Sequence, residues 1–231
     1  MMKTTTWKPL MLFSAVLGFG GLGLRYFLYQ TAVDEKGLLT AMHPLELGFW
    51  AAAVLAALLA LFAGRKNGPE ASEAAPTAAG LLLAAGMIFS QHALRGRSGL
   101  MTIAWFLLLI TGALMAFSAA PGIKKDLLGY LAPVGVCLFF AVYLVASYQQ
   151  WSSNPQMQDY AAEMLACVIL MLYAYQQAAL SQSAGSDRAR KALSVLAVFF
   201  CLSAVPGSET PLLCLGGAAW AMLTPKSGKK S

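Results

Sequence analysis

Arg25, Glu46, His92, Arg95 and Glu163 stand at or near the ends of long apolar runs, where a charged or titratable side chain needs a reason to be present. A carboxylate there can bind a cation or exchange a proton, an imidazole can relay protons near neutrality, and a guanidinium can hold an anion. Together the five residues form the candidate lining of a polar pocket for a small polar or anionic solute.

Arg25 is placed by its spacing. Ser14, Gly18, Gly21 and Arg25 follow a 4-3-4 pattern, so they share one face of a helix. Small residues let a second helix approach closely, which makes Ser14, Gly18 and Gly21 a helix-packing surface. An arginine above that surface points into the bundle and needs a partner there, with Glu46 and Glu163 as the natural candidates. The opposing reading is an arginine that snorkels to lipid headgroups.

The remaining candidates also have plain readings. His92 and Arg95 share a face at a helix end, where the helix dipole favours cations. Glu46 follows Pro44 by two residues, and a carboxylate in a first turn is favoured by the dipole alone. His43 reads as a loop or cap residue. Asp159 and Glu163 lie one turn apart on the face of Cys167, a like-charge pair that needs a cation, a basic partner or water to offset it. Glu163 lies about 12 Å below a helix start at Pro155, nearer the apolar zone, and is the leading functional carboxylate.

Several motifs fail for lack of context. Gly18-x-Gly20-x-x-Gly23 matches a dinucleotide fingerprint by letter, but it follows no strand and falls within a spanning helix. No Gly-x-Ser-x-Gly elbow, P-loop or His-x-x-x-His pair occurs. Cys137, Cys167, Cys201 and Cys214 lie inside apolar segments without CxxC spacing and read as small buried hydrophobes. No metal and no cofactor is expected.

The elements that position these residues are membrane spans. Hydrophobic residues make up 58% of the chain and charged residues 11%, against about a quarter charged in soluble domains. The fold expected is all-α, a polytopic transmembrane helical bundle forming a single integral membrane domain over residues 1–231. About eight segments are expected, at 9–29, 45–63, 78–94, 100–120, 127–147, 158–182, 192–205 and 211–224. The first reads as a retained span, because no small-x-small cleavage site follows it. The last two are each shorter than the roughly 20 residues of a full span. They are either two short spans or a re-entrant pair, which would leave seven segments.

Basic residues alternate between loops. Lys3, Lys8, Arg65, Lys66, Lys124, Lys125, Arg188, Arg190, Lys191, Lys226, Lys229 and Lys230 fall on one side; Arg25, Lys36, Arg95 and Arg97 fall on the other. The positive-inside rule then puts both termini in the cytoplasm, with a bacterial cytoplasmic (plasma) membrane as the expected address. Only the Arg95–Arg97 loop dissents, and it lies on the face where both histidines and the candidate carboxylates gather. Tyr148, Trp151 and Tyr160 suit an outer aromatic belt, and Trp7 and Trp220 an inner one.

The net charge of +6 reads as a topology signal against anionic lipid and not as a nucleic-acid patch. The leading expectation for function is a permease-like or solute-binding protein with an outward-facing polar pocket. The rivals are an intramembrane enzyme using a Glu/His pair, and a non-catalytic subunit or assembly factor. Its partners would be the lipid bilayer, a small solute, and a second membrane protein or another copy of the chain.

Overall fold

The computed structural model describes residues 7–32, 43–63, 74–97, 99–120, 125–151 and 160–224. Among these residues the regular structure is helical, with no strand. The helices are α1 (Trp7–Thr31), α2 (Pro44–Ala63), α3 (Ala74–Leu94), α4 (Leu100–Ala119), α5 (Lys125–Trp151), α6 (Ala161–Ser181), α7 (Asp187–Ala204) and α8 (Pro211–Leu223). A 3-10 turn, Val205–Gly207, extends α7. Helices α1 to α6, and α7 with its 3-10 turn, are long and apolar enough to cross a bilayer. The chain is a multi-pass membrane protein with an all-α helical bundle fold.

The exterior agrees with that solvent. Leu12, Phe19, Leu61, Phe89, Phe117 and Leu127 are each more than half exposed, as a lipid-facing surface requires and water would not tolerate. The interior is closed by small residues. On α1, Gly18 meets Leu202, Gly21 meets Ser203, and Ser14 Oγ donates to the Val195 carbonyl at 2.7 Å, all on α7. On α3 and α8, Gly86 and Gly216 face each other across the helix crossing. The letters Gly18, Gly20 and Gly23 thus lie within one unbroken helix.

The C-terminal pair, open on the sequence, crosses the whole bundle. Arg190, in the first turn of α7, bonds the Thr224 carbonyl beyond the end of α8 at 2.6 Å. The connecting segment 205–210 reaches the level at which α1 and α3 end and α6 begins, since Gly207 abuts Tyr29, Glu209 pairs with Arg97 and Ser208 bonds Glu163. α8 has only 13 residues, about 20 Å, so it matches the stretch of α7 from Arg190 to Ala204 and not a full hydrocarbon thickness.

Three local readings change. α7 starts at Asp187, not at residue 192, because Ser186 caps it by accepting the Ala189 N–H at 3.3 Å and its charged first turn is internally paired. Trp220 does not join an interfacial belt. It is 3% exposed and stands edge-on to Tyr173 with ring centroids 4.9 Å apart, because its face of α8 is turned to α6. Tyr148 is exposed and Tyr160 half-buried; the Trp7 and Trp151 side chains lie outside the described residues.

Candidate functional site

The bundle has two ends, and different polar chemistry collects at each. At one end, the first turn of α6 carries Glu163, which is 3% exposed. Its Oε1 accepts from the Tyr143 hydroxyl of α5 at 2.9 Å and from Ser208 Oγ at 3.0 Å. Ser208 Oγ in turn accepts the Thr210 N–H at 3.0 Å and the Cys214 thiol at 3.6 Å. The bonds given by Tyr143, Ser208, the Thr210 N–H and Cys214 therefore all run toward Oε1. Oε2 is buried and has no hydrogen-bond partner among the described residues.

Local structure explains the placement. Glu163 lies at the positive end of α6, and α8 begins beside it with Pro211 at its first position. Ser208 and Glu209 come from the short break between α7 and α8. Glu209 pairs with Arg97 at 2.8 Å, both side chains about one-third exposed. Arg97 is carried there by a tight α3–α4 connection in which Gly96 (φ 80°) and Gly99 (φ 68°) take the left-handed conformation that a side chain would resist. The one loop that broke the charge rule thus has its counter-charge in place.

Arg25 belongs to the same end and is 5% exposed. Its Nη2 donates to the Tyr29 hydroxyl at 2.7 Å, and its guanidinium carbon lies 5.4 Å from the ring centroids of both Tyr29 and Phe49. The ion pair expected with Glu46 or Glu163 does not form. Glu163 takes its hydrogen bonds from hydroxyls instead, and among the described residues neither carboxylate pairs with a cation. A Cβ on Gly207 would overlap the Tyr29 hydroxyl, so segment 205–210 touches the Arg25 cluster on one side and Glu163 on the other.

The other candidates are more peripheral. His92 and Arg95 are exposed, and no hydrogen bond or ion pair joins His92 to Glu163. Glu46 is half-buried in the first turn of α2. His43 Nδ1 accepts the Leu45 N–H at 3.3 Å, a capping contact. Asp159 lies outside the described residues, as do Lys3, Lys36, Arg65, Lys66, Lys124, Lys226, Lys229 and Lys230. The side chains of Lys8 and Lys125 lie outside them too.

Tyr143, Ser208, Glu209 and Tyr29 are absent from the sequence-based list. Tyr143 is a lone hydroxyl inside an apolar run. Ser208 and Glu209 sit in a polar break between two short apolar segments, and that break was the available signal. Ser90 Oγ of α3, Trp105 Nε1 of α4 and Ser147 Oγ of α5 are also buried without a hydrogen-bond partner among the described residues. Each lies within about two turns of the Glu163 end.

The opposite end is polar but satisfied. Arg190, 1% exposed, gives Nε and Nη2 to Asp187 Oδ1 at 3.2 and 2.6 Å, and Nη1 to the Thr224 carbonyl. Lys191 Nζ reaches Asp187 Oδ2 at 2.5 Å. Ser194 Oγ donates to the Ala221 carbonyl at 2.9 Å. These contacts tie α7 to α8, and cations at the carbonyl end of α8 oppose its dipole. Cys167, Cys201 and Cys214 are buried, Cys137 is half-buried, and all four are free thiols.

No protein-family model, no curated protein and no solved structure matches this chain.

Proposed function

We propose that this multi-pass membrane protein is permease-like and binds a small polar solute inside the Glu163 end of its bundle. The observation that carries the reading is the set of buried polar atoms at that end with no hydrogen-bond partner among the described residues: Glu163 Oε2, Ser90 Oγ, Trp105 Nε1 and Ser147 Oγ. A buried polar atom left unpaired costs about 1–3 kcal/mol, so such atoms point to water or a ligand that completes them. The break between α7 and α8 adds support, because interrupted helices are a recurrent feature of solute sites.

The solute would offer a hydrogen-bonding group to Glu163 Oε2 and an acceptor to the Trp105 N–H. An anion suits the site less well, since Glu163 is itself acidic and Arg97 is engaged by Glu209. Two rival readings have less support. The Glu/His enzyme lacks a contact between its two groups. The small-residue face offered to a partner protein is already covered by α7. We place the Arg190 end in the cytoplasm, and both termini with it, on the distribution of Lys and Arg along the sequence.

Untargeted profiling of small polar metabolites inside and outside cells tests the reading. Cells with the wild-type chain, cells without it and cells with Glu163→Gln are compared, each variant being verified in the membrane. At least one compound should redistribute with the wild type, and Glu163→Gln should return it to the level without the chain. If no compound differs, the permease reading is wrong.

A further inference from the structure

We propose that Glu163 is a proton-binding site: in the resting protein its Oε2 carries an exchangeable proton, and the solute pathway is proton-coupled. The coupling rests on the permease reading above, whereas the proton site rests on the geometry of the carboxyl alone.

The argument is one of charge and of hydrogen-bond direction. Glu163 is almost fully buried, and an isolated carboxylate in an apolar interior needs an opposite charge or neutralisation. Among the described residues no lysine or arginine pairs with it. The titratable groups that face it are Tyr143 from α5, Cys167 from its own helix, Glu209 from the segment before α8, and Cys214 from α8. Cys201 of α7 lies beside the two thiols. None of these is a cation, and Glu209 adds a second negative charge whose counter-ion, Arg97, it already holds.

A multivalent metal has no cage here, because no group of three His, Cys, Asp or Glu able to hold one exists among the described residues. A proton needs one lone pair and no further space. The hydrogen bonds also say which oxygen receives it. Oε1 accepts from both Tyr143 and Ser208, so it is the carbonyl oxygen of the acid, and Oε2 is the hydroxyl. The site remains able to release its proton, because the positive ends of α6 and α8 and the two hydroxyl donors all stabilise the carboxylate that is left. On release, the O–H bond of Oε2 breaks, its electron pair stays on Glu163 and the proton passes to water at the mouth.

Infrared difference spectroscopy of the purified protein in nanodiscs, recorded as pH is raised, tests this. A protonated-carboxyl C=O band should be present, shift on deuteration, fade at higher pH and be missing from Glu163→Gln. Tyr143→Phe and Ser208→Ala each remove a donor to the carbonyl oxygen while keeping Glu163, so each should move the band to higher frequency. These two variants keep the test decisive if Glu163→Gln folds poorly. Absence of any band that depends on Tyr143 or Ser208, in protein that stays folded across the titration, overturns the proton site. The metabolite experiment is independent of that outcome. A redistributed solute without the band leaves a permease with no proton at Glu163, and the band without a redistributed solute overturns the coupling and the permease reading while the proton site stands.

Discussion

Asp187 holds two buried cations at once, with Arg190 on one oxygen and Lys191 on the other. Removing its charge takes the Asp187 salt bridge from both cations, whereas removing Arg190 leaves the Lys191–Asp187 pair in place. Asp187→Asn should therefore destabilise the protein by about 3 kcal/mol, the cost of breaking a buried pair from one side. Arg190→Met should cost clearly less. Chemical unfolding in detergent measures both, and equal midpoints for the two variants would refute this account of the cluster. The same logic of partners explains what the sequence conceals at this scale. Glu163 stands out as a carboxylate beside an apolar run. Its donors do not, because Tyr143 and Ser208 lie 20 and 45 residues away and reach it only through packing. Arg25 is buried beside Tyr29 and Phe49, and the small-residue spacing below it on α1 gives no sign of those two rings.

At the scale of helices, the tightest contact joins α3 to α8 through glycines. A Cβ on Gly86 would stand 2.6 Å from the Leu212 carbonyl oxygen, and one on Gly216 would stand 2.9 Å from that of Leu82. Both obstacles are backbone, so the helices themselves must part. Gly20 and Gly23 of α1 have open space at the same position. Gly86→Ala and Gly216→Ala should each lower thermal survival of the monodisperse protein, with a cost of about 1–3 kcal/mol from overpacking. Gly20→Ala should be neutral or stabilising by up to about 1 kcal/mol through helix propensity. If all of these variants melt together, the crossing is looser than the structure has it. Apolar runs reveal the long helices because lipid demands an almost unbroken stretch. The start of α7 was hidden, since Asp187, Arg188, Arg190 and Lys191 resemble a loop until the pairing that lets them begin a helix is known. Likewise the small face of α1 was visible as a pattern, but α7 as its occupant was not.

Across the whole molecule, the helix order makes each connection alternate between the two ends. Arg95 and Glu209 lie at one end and Gln182 at the other; Arg95 and Gln182 are exposed, and Glu209 about one-third so. The proposed orientation puts Gln182 in the cytoplasm with the basic residues. It can be checked in a chain whose four native cysteines are replaced by alanine. Single cysteines at Arg95 and Glu209 should react with a membrane-impermeant maleimide added to intact cells, and one at Gln182 only after permeabilisation. The reverse pattern would leave the bundle intact and invert it, which would move the proton site to the cytoplasmic mouth. A cysteine at Glu209 shielded from outside while Arg95→Cys reacts would contradict a hairpin of α7 and α8 that crosses completely. The outcome matters for mechanism because Glu163 is within one turn of the end that Arg97 and Glu209 close. Its proton would be exchanged with whichever compartment that end faces.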